Sequence, residues 1–184
     1  QVIRAFSIAR SRLNLEGIEI KLKMLNAEYP ASVSRELGDA LQRQIVNEHL
    51  DGAATLVREY LTENQLSQEL NSLDMLIFAY DTTSESSSAA VRDALAFKKP
   101  TLVSAQPIFA DLSRVTVQLP GLAPEEIAEG IIEAIHSLQA TDNELTGLSK
   151  RQEIWVNSNS FQNFAKYLEK LVSLKLESRG QNAK

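Results

Sequence analysis

The six residues MLIFAY, at positions 75–80, constrain the fold of this chain more than any other stretch. A strand with one wet face alternates apolar and polar residues. An unbroken apolar run of this length, bounded by polar turns, belongs to a strand covered on both faces. Parallel sheets between two layers of helices meet that condition. The residues around the run agree. A polar loop, DTTSESSS (81–88), is followed by a helical pattern with Val91, Ala94 and Leu95 on one side. Pro100 then turns the chain into a second apolar run, TLVSA (101–105).

The same alternation extends along the chain. Val2, Ile3, Phe6, Ala9 and Leu13 share one helical face, and IEIKLKML (18–25) alternates as a half-covered strand. Ser32 or Ser34 is placed to cap a helix carrying Leu37, Leu41 and Ile45 that ends near Asp51-Gly52. A strand over 54–61 follows. Thr62 to Gln65 then has the capping-box form, ahead of a helix with Leu66, Leu70 and Leu73. VTVQLP (115–120) is a fifth strand. Pro124, Glu125 and Glu126 open a helix that buries Ile127, Ile131, Ile132 and Ile135. TDNELTGLSKRQ (141–152) has the composition of a polar linker. Phe161, Phe164, Leu168, Leu171 and Val172 form the stripe of a last helix, and 178–184 forms a frayed tail. Strands alternating with helices predict an α/β protein with an open, doubly wound, mostly parallel sheet.

Composition narrows the function. A length of 184 residues suits one domain, and a net charge of −5 argues against nucleic acid or an anionic membrane as a bulk electrostatic partner. The absence of cysteine removes disulfides, thiolate metal sites and cysteine nucleophiles, and fits a reducing compartment. No Asp-x-Asp or His-x-x-His spacing points to a metal, and no cofactor is indicated. His49 sits near a helix end, His136 on a solvated helix face, and neither carries a catalytic pattern. No Gly-x-Gly-x-x-Gly or phosphate-loop lysine occurs. The opening QVIRAFSIARSR does not have the form of a secretory leader, and its uncapped helix suggests a chain cut from something longer.

In a doubly wound sheet, ligands bind beyond the carboxyl ends of the strands. The loops at 26–31, 60–63, 81–88 and 104–111 are therefore the ones to inspect. Within 81–93, Glu85 precedes three serines and two alanines, small residues that leave backbone donors open to a ligand. With a helix running from Glu85, Asp93 would lie roughly 12 Å further along its axis. Two acids so placed suit the hydroxyls at either end of a ligand that carries phosphate between them. They equally suit a helix cap and a solvated flank, and spacing leaves both readings open. Asp81, Asp111 and Tyr80 also fall near strand ends, where each is either a ligand contact or ordinary loop surface.

The segment SLDMLIFAYDTTSESSSAAVRDALAFKKPTLVSAQPIFADL resembles the carboxyl-terminal domain of nucleotide-sugar glycosyltransferases of the GT-B fold, most closely the retaining group known as family 4, or glycosyl transferases group 1. That group carries an acid-x7-acid motif here, and Glu85 and Asp93 occupy it. The likeness is specific around 72–112. TENQLSQELNSLDMLIFAY and KRQEIWVNSNSFQNFAKYLEKLV extend it to roughly 1–174.

The resemblance implies a Rossmann-like donor-binding domain over 1–140, with its first strand preceding Gln1. Helices over 141–177 would pack back on the domain, leaving part of the Trp155 and 161–172 surface open toward a separate amino-terminal domain. Glu85 would contact the donor sugar and act as the catalytic residue. The backbone of Ser86, Ser87 and Ser88 would face the diphosphate, Asp93 would hold the ribose, and Tyr60, Leu61 and Thr62 would border the base. The implied partners are a nucleoside-diphosphate sugar, an acceptor (saccharide, lipid-linked or protein) and the amino-terminal domain.

The implied location is cytoplasmic, with room for peripheral attachment at the inner face of a membrane. Asp93 is one methylene shorter than the family's usual glutamate, and Lys98 stands where the family commonly has glycine. These departures also fit a non-catalytic GT-B-like interaction module.

Overall fold

The computed structural model describes residues 1–140 and 144–181, the side chains of 144, 146 and 174–181 aside. Helix α1 (Val2–Leu15) leads to strand β1 (Leu22–Leu25), α2 (Ser32–Asn47) to β2 (Ala54–Val57), and α3 (Glu63–Asn71) to β3 (Leu76–Phe78). Then come α4 (Ala89–Leu95), β4 (Thr101–Val103), a 3-10 turn (Pro107–Leu112), β5 (Val117–Gln118) and α5 (Pro124–Gln139). Two further helices, α6 (Glu144–Ser158) and α7 (Phe161–Gln181), complete the chain.

Every strand pair is parallel, as expected for the continuous apolar runs of β3 and β4. The ladder forms two blocks, β1-β2 and β3-β4-β5. Side chains divide between two faces, as a doubly wound sheet demands. Ile77 of β3 and Leu102 of β4 pack with Ala5, Ala9 and Leu13 of α1 and with Ile127, Ala128 and Ile131 of α5. On the opposite face, Leu76 joins Leu70 of α3 and Ala94 of α4, while Val103 joins Val91 and Leu95 of α4. Successive strand residues thus point to opposite layers, and β4 is buried throughout.

Local chemistry places several helix ends where the sequence reading expects them. Thr62 caps α3 through a capping box. Its hydroxyl accepts from Gln65 N at 3.4 Å, and Gln65 Oε1 accepts from Thr62 N at 2.9 Å. Pro124 opens α5, and Glu126 accepts from Ala123 N at 2.9 Å.

Other ends move. Ala31 is the N-cap of α2, while Ser34 Oγ accepts from Tyr29 N instead of capping. α2 stops before Asp51-Gly52 because His49 adopts a left-handed φ of 55°, and Leu50 N reaches back to Ile45 O. The strands are shorter than their apolar runs, because pairing ends where the backbones diverge into loops.

The linker assigned to 141–152 is largely helix. α6 covers 144–158, while 141–143 lie outside the described residues. Its anchors are Leu148 and Gln152, both buried, with Trp155 and Val156 packed against the α4–β4 cluster. α7 runs through Gln181, so residues 178–181 of the expected tail are helical, and 182–184 lie outside the described residues. No helix among the described residues is long and apolar enough to cross a membrane.

Candidate functional site

The loop from Asp81 to Ser87 leaves the carboxyl end of β3 and is exposed throughout. Its base is fixed from both sides. Ser104, buried at the end of β4, donates from its hydroxyl to Tyr80 O at 2.6 Å, and its amide donates to Phe78 O at 3.2 Å. The Tyr80 ring lies between Phe78 and Phe109, with centroids 6.2 and 5.2 Å away. At the far end, Ser88 is buried, accepts from Val91 N at 3.4 Å as the N-cap of α4, and lies 3.3 Å from the Tyr80 hydroxyl.

This cap corrects the expectation that one helix carries both acids. α4 begins at Ala89, four residues after Glu85, because Ser88 takes an extended φ of −105° and turns its hydroxyl back on the first turn. Glu85 is therefore a loop residue and Asp93 a residue of the short helix. Both are exposed. The Glu85 amide donates to Thr83 Oγ1 at 3.2 Å, and no hydrogen bond or ion pair among the described residues engages either carboxylate. They are open acceptors on a braced support. Ser86 and Ser87 are exposed beside Glu85, whereas the Ser88 hydroxyl is consumed by the cap.

Tyr60, Leu61 and Thr62 follow β2, at the same carboxyl end of a parallel strand. Tyr60 is 85% exposed, Leu61 half-buried, and the Thr62 hydroxyl is committed to its capping box. Arg58, just before them, is fixed between Glu28 and Asp39. The hydrogen bonds that its guanidinium donates to Glu28 and then Asp39 raise its pKa further above the ordinary value.

Two other side chains that the sequence reading singled out, Asp111 and His136, are engaged in pairs that sequence spacing did not reveal. Arg92 holds Asp111 at 2.6 Å and also donates to Ser88 O at 3.2 Å, so Asp111 braces the loop. His136 meets Glu16 at 2.7 Å across the α1–α5 contact. Asp81 is exposed. Among the described residues no group of three or more His, Asp or Glu is gathered in a way that could hold a metal. Two shallow depressions of about 350 Å³ each lie elsewhere, one lined by Asp39, Arg43 and Arg58, the other by Phe161, Phe164 and Tyr167.

No protein-family model and no curated protein matches the sequence. Solved structures do match the fold. A glycosyltransferase from Rickettsia africae superposes with a TM-score of 0.69 at 11% identity, over 93% of this chain and 44% of its own. Sucrose-phosphate synthase from Thermosynechococcus elongatus gives 0.65 at 11%, over 96% and 43%. HepE from Anabaena, solved in complex with UDP and glucose, gives 0.60 at 12%, over 92% and 55%.

The chain thus has the parallel α/β architecture of glycosyltransferase structures, and the Rossmann-like reading of the sequence agrees with it. It spans about half the length of those structures.

Proposed function

We propose that this chain is the donor-binding half of a retaining glycosyltransferase of the GT-B type, similar to family 4, moving a hexose-type sugar from a nucleoside-diphosphate sugar to an acceptor. The observation that carries the reading is the pair Glu85 and Asp93. Two partner-free carboxylates stand on the loop and helix that follow β3, on a base braced by Ser104, Tyr80 and Ser88. HepE, which shares the fold and holds UDP and glucose, supports the donor class.

Glu85 accepts hydrogen bonds from the donor sugar hydroxyls, Asp93 from the ribose, and the backbone of Ser86 to Ser88 faces the diphosphate. Tyr60 to Thr62 border the base. The reaction breaks the bond between the anomeric carbon and the diphosphate oxygen and forms one to an acceptor hydroxyl, whose proton is released. Basic groups stabilise the departing diphosphate.

Glu85→Ala in the complete enzyme should lower kcat by about 10²–10³-fold, the order of loss for one transition-state hydrogen bond. Its exposed position predicts an unchanged melting temperature. Undiminished turnover removes Glu85 from the site.

One observation favours a second reading, a non-catalytic module. α7 exposes Phe161, Phe164, Leu168 and Leu171 along one side, which is a surface for association. Calorimetric titration with UDP-, GDP- and ADP-sugars separates the two, since a module gives no binding heat.

A further inference from the structure

Arg58 is held through both its main chain and its side chain at the carboxyl end of β2. Its carbonyl accepts from Glu28 N at 3.0 Å. Its guanidinium donates from Nε to Glu28, and from Nη2 to Asp39 at 2.8 Å and to Arg35 O at 3.4 Å. The 26–31 loop after β1, helix α2 and the end of β2 thus converge on one side chain. With Arg58 32% and Glu28 24% exposed, this pair is less screened by water than an ion pair on the open surface. Gly38 shows how closely the pair lies against α2. It is buried within the helix, where glycine is a poor helix former. A Cβ at this position would overlap Glu28 Oε1 and come within 2.9 Å of Arg58 Nε. Residue 38 is therefore fitted to the pair and not to the helix.

The residues after Arg58 are of the opposite kind. Glu59 and Tyr60 are exposed and Leu61 is half-buried. Among the described residues no hydrogen bond engages the main chain of Glu59, Tyr60 or Leu61. Beyond them the chain is fixed again, because Thr62 is locked to α3 by its capping box. Residues 59–61 are thus a short span anchored at both ends, with its N–H and C=O groups open at the carboxyl end of a parallel strand.

We propose that Arg58 is a positioning residue for the base of the donor. The Glu28–Arg58–Asp39 clamp, seated on Gly38, holds the main chain of 59–61 in the shape that receives the edge of the heterocycle. Arg58 acts through that span and not on the ligand. The inference rests on the donor-site reading. Main-chain donors and acceptors meet the planar edge of a base well only where they are fixed beforehand, since a loose span must be ordered at the expense of affinity. Freeing about one residue of main chain corresponds to about tenfold in affinity.

The test uses two variants of the natural polypeptide that contains this sequence. Arg58→Met keeps an unbranched stem and removes every donor, while Gly38→Ala keeps all charges and places a methyl group where the pair lies. Alanine is the better helix former, so Gly38→Ala retains α2 whether or not Arg58→Met folds. Calorimetry with UDP, GDP and ADP identifies the nucleotide that the unaltered protein binds. Both variants should bind that nucleotide about tenfold more weakly, yet bind inorganic diphosphate within about twofold of the unaltered protein. In turnover, the donor KM should rise about tenfold with kcat within about twofold. Equal nucleotide affinity in a folded variant overturns the inference, and so does a parallel loss for diphosphate, which marks a general structural defect. An unaltered protein that binds none of the three nucleotides defeats the donor-site reading and this inference with it. Variants that match an unaltered protein which does bind defeat the clamp alone.

Discussion

Gln152 of α6 is wholly buried, and its amide nitrogen donates to Lys99 O and Val115 O, each at 3.0 Å. One side chain thus ties α6 to the turn before β4 and to the segment before β5. Gln152→Met keeps the shape and removes both donors. At about 1 kcal/mol net per hydrogen bond, the loss is about 2 kcal/mol. Lys99 O keeps the Thr101 hydroxyl at 3.0 Å, but no other hydrogen bond reaches Val115 O among the described residues. That buried carbonyl adds about 1–2 kcal/mol. Against this, Gln152 Oε1 is itself buried without a partner, so removing it returns about 1 kcal/mol.

The net loss is about 2–3 kcal/mol, or about 4–12 °C in Tm for a domain of this size. Urea unfolding followed by far-UV circular dichroism measures it from the shift in midpoint at constant m. A change below about 0.5 kcal/mol would refute the two-carbonyl clamp. Gln152→Glu supplies a control with a distinct signature. A buried carboxylate facing two carbonyl acceptors has its pKa raised in the folded state, so the folded state binds the extra proton. The variant should be least stable at neutral pH and recover as pH falls toward the ordinary carboxylate value, the reverse of an ion-paired acid. A pH-independent deficit would sink the assignment.

Two further outcomes follow from the site and its rim. Ser88→Ala removes the cap of α4 and the Tyr80 contact and should cost about 1–2 kcal/mol in chemical denaturation. Ser86→Ala and Ser87→Ala, on the exposed loop, should each stay within about 0.5 kcal/mol, and equal losses at all three would contradict the buried cap. Lys98 holds Glu153 at 2.6 Å, and that hydrogen bond lowers the Glu153 carboxyl pKa. A depressed folded pKa gives stability that is present above the unfolded value and lost as pH falls through the folded one. Carbon-13 NMR titration should therefore find Glu153 below the ordinary glutamate range and shifted upward in Lys98→Met; no upward shift would reject the pairing.

The same Lys98 stands at a position suited to glycine. It carries a left-handed φ of 55° after α4, where a side chain costs about 1 kcal/mol and glycine costs nothing.

What the sequence determined by itself is what repeats at short range. The unbroken apolar 75–80 run sets a two-face-covered parallel strand, the spacing of Ile127, Ile131 and Ile132 sets α5, and Thr62 with Gln65 sets the start of α3. Each of these depends on residues within a turn or two of one another. Only the tertiary structure decided where α4 begins, because Ser88 becomes its cap by being buried against Tyr80, a contact that no serine in the run announces.

It also decided that residues 144–152 are helix, since that segment's principal anchor is a glutamine whose partners lie 53 and 37 positions away. The pairs Arg92–Asp111 and His136–Glu16, and the interruption between β1 and β3, arise in the same way. A polar side chain or a strand edge acquires its role from whichever groups the fold brings within about 3 Å, and sequence periodicity carries no record of that neighbour.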